Sequence, residues 1–128
     1  MVTILVVDDS ELARVNILYQ LKNIYEEINI LFAETIEKAW GILNENSVDI
    51  ALIDIYMPGK NGADLINDML AHEKFKNIPI IVVTGTSEDS FVKTSFEKHV
   101  HAYLHKPIDK DKLLNSIKDI DVEAACLK

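Results

Sequence analysis

Five short apolar runs rich in Ile, Val and Leu recur along the chain: TILVV (3–7), INILFA (28–33), DIALID (49–54), IPIIVVT (78–84) and AYLHK (102–106). Most are hydrophobic throughout rather than alternating, as strands buried on both faces are. Segments with helical spacing separate them. In SELARVNILYQLKN, the spacing of Leu12, Val15, Leu18 and Leu21 predicts one stripe behind a Ser10 cap. In TIEKAWGILNEN, Ile36, Ala39, Trp40 and Leu43 do the same behind Thr35. GADLINDMLAHEKF carries Leu65, Ile66, Met69 and Leu70, followed by Phe75. SEDSFVKTSFEKH has a thinner face of Phe91, Val92, Ser95 and Phe96. DKDKLLNSIKDI places Leu113, Leu114, Ile117 and Ile120 behind Asp109. The Met, Trp and Phe residues of these stripes read as core.

Strand alternating with helix five times predicts an α/β fold, a parallel sheet with helices on both faces. Right-handed crossovers then leave few topologies. No internal repeat, low-complexity stretch or linker interrupts the pattern, and 128 residues suit one domain, 1–128.

The net charge of −8 makes the surface repel nucleic acid and anionic lipid, so a role in binding DNA or membranes is not expected of these residues. Cys126 is the one cysteine, which rules out a disulfide framework or a Cys-rich zinc site. The run after Met1 lacks a basic flank and meets Asp8 at once, and nothing approaches the length of a membrane span. A cytoplasmic location is expected.

In an open α/β sheet, ligands bind outside the carboxyl ends of the strands. The first predicted strand ends in Asp8 and Asp9, the second in Ala33 and Glu34, the third in Asp54, the fourth in Thr84 and the fifth in Lys106. Singly, each has an ordinary structural reading: acids cap helices, Thr favours strands, and a lysine before Pro107 suits a solvated loop. Jointly, three carboxylates, a hydroxyl and an ammonium fall on one rim. Two carboxylates ~4 Å apart repel by ~4 kcal/mol at an effective dielectric near 20. Either a proton is retained or a cation sits among them, and hard oxygen ligands select Mg²⁺ or a similar ion.

These residues are arranged as in a known family. DD after the first strand, DIYMPGKNG (54–62) after the third, TGT (84–86) after the fourth and YLHKP (103–107) on the fifth resemble the receiver domain of two-component response regulators. The resemblance covers Val2 to about Asp119. It implies a flavodoxin-like, doubly wound five-stranded parallel sheet of order 2-1-3-4-5. In that order the second strand is an edge, and it is the one whose end carries no member of the proposed site.

The resemblance further implies that Asp54 is the phosphoacceptor, served by Lys106 and Thr84. Asp9, Asp54 and the backbone carbonyl of Tyr56 would bind Mg²⁺ (or Mn²⁺), with Asp8 acting mostly through water. The donor would be a phosphohistidine on a histidine kinase or histidine phosphotransfer protein. The product would be an acyl phosphate, a switch rather than turnover of a free substrate. Thr84 and Tyr103 would be the switch pair. They would alter the face made by the helix predicted over 87–99, the fifth strand and the last helix, which an unknown downstream protein reads. Tyr56 and Thr86 would tune the rate of dephosphorylation, and the bond before Pro107 would be cis.

One departure is His101, where the family usually has Gly before the Ala of the fifth strand. His99, His101 and His105 alternate with Tyr103, so an extended backbone would place all four on one face. A metal site or pH-sensitive surface competes there with polar decoration of an exposed edge strand, and the latter is favoured. Three other functions are open. A hydrolase of the haloacid dehalogenase type would need a second Asp where Tyr56 stands. Flavin binding would need a phosphate cradle where DDSEL is acidic. A degenerate receiver, acting only as an interaction module, would ordinarily have lost a site residue. Only VEAACLK follows the last predicted helix beyond Ile120 and Asp121, which suits a stand-alone regulator or a piece of a longer chain.

Overall fold

The structure, a computed structural model, describes residues 1–55, 62–85 and 100–120. Their elements run β1 (Val2–Val7), α1 (Glu11–Ile24), β2 (Ile28–Ala33), α2 (Ile36–Glu45), β3 (Ile50–Asp54), α3 (Gly62–Ala71), β4 (Ile80–Thr84), β5 (Ala102–His105) and α4 (Lys110–Ile117). The helix predicted over 87–99 lies outside the described residues. The strands form one parallel sheet of order β2-β1-β3-β4-β5, the flavodoxin-like doubly wound arrangement.

Continuous apolar strands are explained by two cores, one on each face. Leu5, Val7, Ala51, Ile53 and Val82 meet α2 and α3 through Ile36, Ala39, Leu43, Leu65, Ile66 and Met69. Ile4, Val6, Ile50, Leu52, Ile81 and Val83 meet α1 and α4 through Ile17, Leu21, Leu113 and Ile117. Alternate residues of each strand supply opposite faces, so β3 and β4 are buried along their whole lengths. Each fully buried Leu or Ile contributes roughly 1.5–3 kcal/mol, which makes these central strands the stable frame of the rim.

The predicted caps form. Ser10 Oγ accepts from Ala13 N at 3.2 Å, Thr35 Oγ1 from Lys38 N at 3.1 Å and Asp109 Oδ1 from Lys112 N at 2.8 Å. The stripe expected on α1 forms only in part. Leu21 is buried and Leu18 half-buried, but Leu12 and Val15 are 81% and 54% exposed, and Ile17 and Ile24 join Leu21 against the sheet, with Gln20 beside them. The sequence holds two overlapping apolar stripes on this helix. The sheet takes the later one, because every buried position of α1 lies from Ile17 onward.

Candidate functional site

Parallel strands bring all five carboxyl ends to one edge. Val7 is in register with Ile53, so Asp8 and Asp54 are the next residues on adjoining strands. Asp54 opposes Val83, and Thr84 opposes His105, which puts Lys106 one step further along the same rim. The backbone continues to pair there: Asp8 N donates to Ala33 O, Ile55 N to Val83 O and Lys106 N to Thr84 O. The rim is therefore a rigid extension of the sheet.

Asp8, Asp54 and Thr84 are buried, while Asp9 is exposed. Carboxylate oxygens of Asp8, Asp9 and Asp54 lie within 4.8 Å of one another. Lys106 Nζ stands between two of them, 2.8 Å from Asp8 Oδ2 and 3.0 Å from Asp54 Oδ2. Asp8 Oδ1 accepts from Ser10 N at 2.9 Å. Its buried Oδ2 is an ion-pair partner of Lys106 but accepts no hydrogen bond of good alignment among the described residues. Arg14 donates to the carbonyl of Asp8 at 2.9 Å and approaches Glu34 at 3.9 Å, bracing the start of the acidic turn.

The electrostatics follow from this crowding. Burial pushes the Asp54 carboxyl up to about 6; Lys106 opposes that shift, and Asp8 and Asp9 add to it. Burial alone would lower the Lys106 ammonium, yet its bonds to Asp8 and Asp54 outweigh burial and raise it. Three carboxylates crowd together, and one ammonium contacts two of them. A hard divalent cation fits that donor set of closely spaced carboxylate oxygens.

Gly62 begins α3 directly against β3. A Cβ there would lie 2.1 Å from the carbonyl oxygen of Asp54, and Gly62 N donates to Ile55 O at 2.9 Å. Only a residue without a side chain lets the helix approach the acidic position this closely.

The remaining predicted positions divide. Tyr103 is half-buried and packs against the core shared by α2 and α3. The Lys106–Pro107 peptide is cis. Tyr56, Thr86 and His99 lie outside the described residues. His101 pairs with Asp119 at 2.9 Å and holds that carboxyl below its usual range. His105 is exposed, and Asp8, Asp9 and Asp54 are the one metal-compatible group among the described residues.

The sequence reading missed three residues that touch this region: Arg14, Asn16 and Gln20. Asn16 and Gln20 both donate to the carbonyl of Ile108, two residues beyond Lys106. A polar side chain one position before Leu21, on the sheet-facing side of α1, was the available signal for Gln20.

A family model for the response regulator receiver domain matches residues 4–118. This chain belongs to that family. Among relatives, it is 32% identical to a chemotaxis protein CheY homolog of Campylobacter jejuni over 91% of this chain and 90% of that protein. It is also 33% identical to the sensory transduction protein LytT of Bacillus subtilis over 92% of this chain. The receiver spans 47% of LytT, about half its length. A solved structure of the response regulator TrrA from Thermotoga maritima, in complex with Mg²⁺ and BeF, superposes with a TM-score of 0.78 at 26% identity, covering 94% of this chain and 100% of that one. The receiver is thus a signalling module of two-component response regulators. No helix among its described residues is long and apolar enough to cross a membrane.

Proposed function

We propose that this receiver accepts a phosphoryl group from a phosphohistidine onto Asp54 in a Mg²⁺-dependent reaction, and that the change reaches a downstream protein. One observation carries the reading: three clustered carboxylates, two of them buried and paired with a single lysine, at the end of the sheet. As a structural device that cluster is costly. As a phosphoacceptor site each part has a task.

An Asp54 carboxylate oxygen attacks phosphorus; the P–O bond forms as the P–N bond to the donor imidazole breaks. Lys106 is already 3.0 Å from Asp54 and pairs with an oxygen of the arriving group. Thr84, one residue past the partner of Asp54 on β4, supplies a hydroxyl to another. Asp9, Asp54 and the Tyr56 carbonyl would hold Mg²⁺ or Mn²⁺, with Asp8 acting mostly through water, and the ion would neutralise charge on the phosphoryl oxygens. The product stores the signal rather than releasing a substrate. Thr84 and Tyr103 form the switch, Tyr56 and Thr86 set the rate of loss, and the module comprises 1–128 as one cytoplasmic unit.

The test is incubation with a small-molecule phosphodonor with and without Mg²⁺, read by mass. Wild type is expected to gain one acid-stable, base-labile phosphoryl group only with the metal, and metal-independent labelling overturns the reading. Lys106→Ala is expected to label more slowly and fail to signal.

The donor protein docks on α1. Leu12, Val15 and Tyr19 are exposed at helical spacing, and Leu12 also lines an open groove of about 380 Å³ that ends at Lys106, Pro107 and Ile108. An apolar surface continuous with the acceptor rim suits a protein that must cover Asp54 while transferring phosphate. Val15→Glu is expected to leave stability within about 0.5 kcal/mol. Labelling by a small-molecule donor stays unchanged, while transfer from a phosphorylated partner falls roughly ten-fold or more, as for loss of an anchor worth over 1 kcal/mol. Equal rates from the partner for both proteins would place docking elsewhere.

A further inference from the structure

Gln20 is the one buried polar residue among the described residues that the proposed chemistry does not use. It sits on the face of α1 that meets the sheet, flanked by Leu21 and one turn from Ile17 and Ile24. Its Nε2 donates to the carbonyl of Ile108, and also to Asn16 Oδ1 at 3.2 Å. Asn16 Nδ2 donates to the same Ile108 carbonyl at 3.3 Å. Two side-chain amides, one turn apart on α1, therefore converge on one backbone oxygen across the fold. Gln20 Oε1 is buried and accepts no hydrogen bond among the described residues, so within them the amide serves as a donor.

Ile108 ends the short turn that begins at Lys106. On its upstream side that turn is pinned by Lys106 N donating to Thr84 O at 2.8 Å. Downstream, the Ile108 side chain is buried among residues of α1 and α4. Two amides add directional restraint on the one backbone acceptor at this point, and the turn has no strand beyond β5 to pair with. Lys106 must hold its ammonium between Asp8 and Asp54, at 2.8 and 3.0 Å, at the end of a long flexible stem. Fixing where the stem starts is the part of that task the backbone can perform.

We propose that Gln20, seconded by Asn16, is a positioning residue for Lys106: by tying the Ile108 carbonyl to α1 it sets where the lysine stem leaves the turn. The inference rests on the reading of Asp54 as phosphoacceptor. It deepens that reading by making α1 a support of the lysine, through amides that lie on the flank of the helix between the exposed Leu12 and the sheet-facing Leu21.

Gln20→Met keeps length and burial while removing the donor. It is expected to retain the wild-type melting temperature within a few degrees and to lower the rate of labelling by a small-molecule phosphodonor with Mg²⁺ by roughly ten-fold, in line with small misplacements of a reacting group. In a Lys106→Ala background, Gln20→Met is expected to cause no further loss, because its effect passes through the lysine. A merely structural role would reduce labelling equally with and without Lys106, and that result, or a wild-type rate for Gln20→Met, overturns the proposal. Asn16→Ala, at an exposed position, keeps the test open should Gln20→Met not fold; it is expected to give a smaller loss in the same direction, and no loss counts against the proposal. A separate arm needs no phosphate. The Lys106 Nζ ¹H–¹⁵N signal is expected to be sharp in wild type and broadened in Gln20→Met, and an unchanged signal overturns the tie. Failure of wild type to label at all sinks the phosphoacceptor reading, and the Nζ signal still decides whether Gln20 restrains the lysine.

Discussion

Asp54→Asn is expected to abolish phosphoryl labelling and to make the metal-free protein more stable at neutral pH. Loss of labelling follows from the chemistry, since an amide oxygen is too weak a nucleophile to form the acyl phosphate. The stability gain follows from burial. Asp54 is 4% exposed, and its carboxyl is pushed up to about 6 from an ordinary value of 3.8. That shift corresponds to about 3 kcal/mol of penalty on the charged form.

The sign follows from linkage. A carboxyl whose folded pKa lies above its unfolded value binds its proton more tightly when folded. Folding is therefore penalised at pH above about 6, and the penalty fades as pH falls through 6 towards the unfolded value. Asparagine carries no charge, so the variant should exceed wild type by about 2 kcal/mol at pH 7.5, allowing for the weaker bond it offers Lys106. The difference should shrink to near zero by about pH 4. Denaturant titrations of both proteins at the two pH values, with chelator present, measure it. A variant less stable than wild type at pH 7.5 would show that the acidic cluster is already neutralised by other means.

Gly62→Ala is expected to destabilise by about 3 kcal/mol or more, which is large for the addition of one methyl group. The new Cβ would meet the Asp54 carbonyl oxygen at 2.1 Å, with the Asp54 carbonyl carbon and Ile55 Cα both at 3.0 Å. All three are backbone atoms of the best-buried part of the sheet, so the cheap escape of rotating a side chain is closed. Either α3 is displaced from β3, breaking the bond from Gly62 N to Ile55 O, or the acidic position moves. Both disturb the site, so surviving protein should also label slowly. Thermal melting alongside labelling checks the pair, and a variant with wild-type melting and wild-type labelling would mean that the helix start adjusts freely.

The legible part of this molecule was its periodicity and its strand ends. Uniformly apolar runs such as IIVV read directly as strands buried on both faces, and the register of a parallel sheet then carried Asp8, Asp54, Thr84 and Lys106 to one edge. Strand order was not legible from periodicity; the family resemblance supplied it. Helix α1 defeated the pattern because Leu12, Val15 and Tyr19 form as regular a stripe as Ile17, Leu21 and Ile24. Spacing cannot say which stripe has a sheet beneath it. The ties from Asn16 and Gln20 to Ile108 span 92 and 88 residues of chain, and a contact to a backbone oxygen leaves no complementary residue type to notice. The closeness of Gly62 to Asp54 was hinted at by the motif, but its cause needed coordinates.

Lys106 and Asp54 meet across 52 residues of chain, and the lysine rides on the strand that joins the sheet at its far edge. On a ribosome, the acceptor therefore emerges well before the cation that balances it. A partly made or partly unfolded copy holds its acids without their partner. With Asp54 as the proposed phosphoacceptor, such a copy is expected to be a poor target for a phosphate donor, so that proofreading of the fold would come with the placement of one amine.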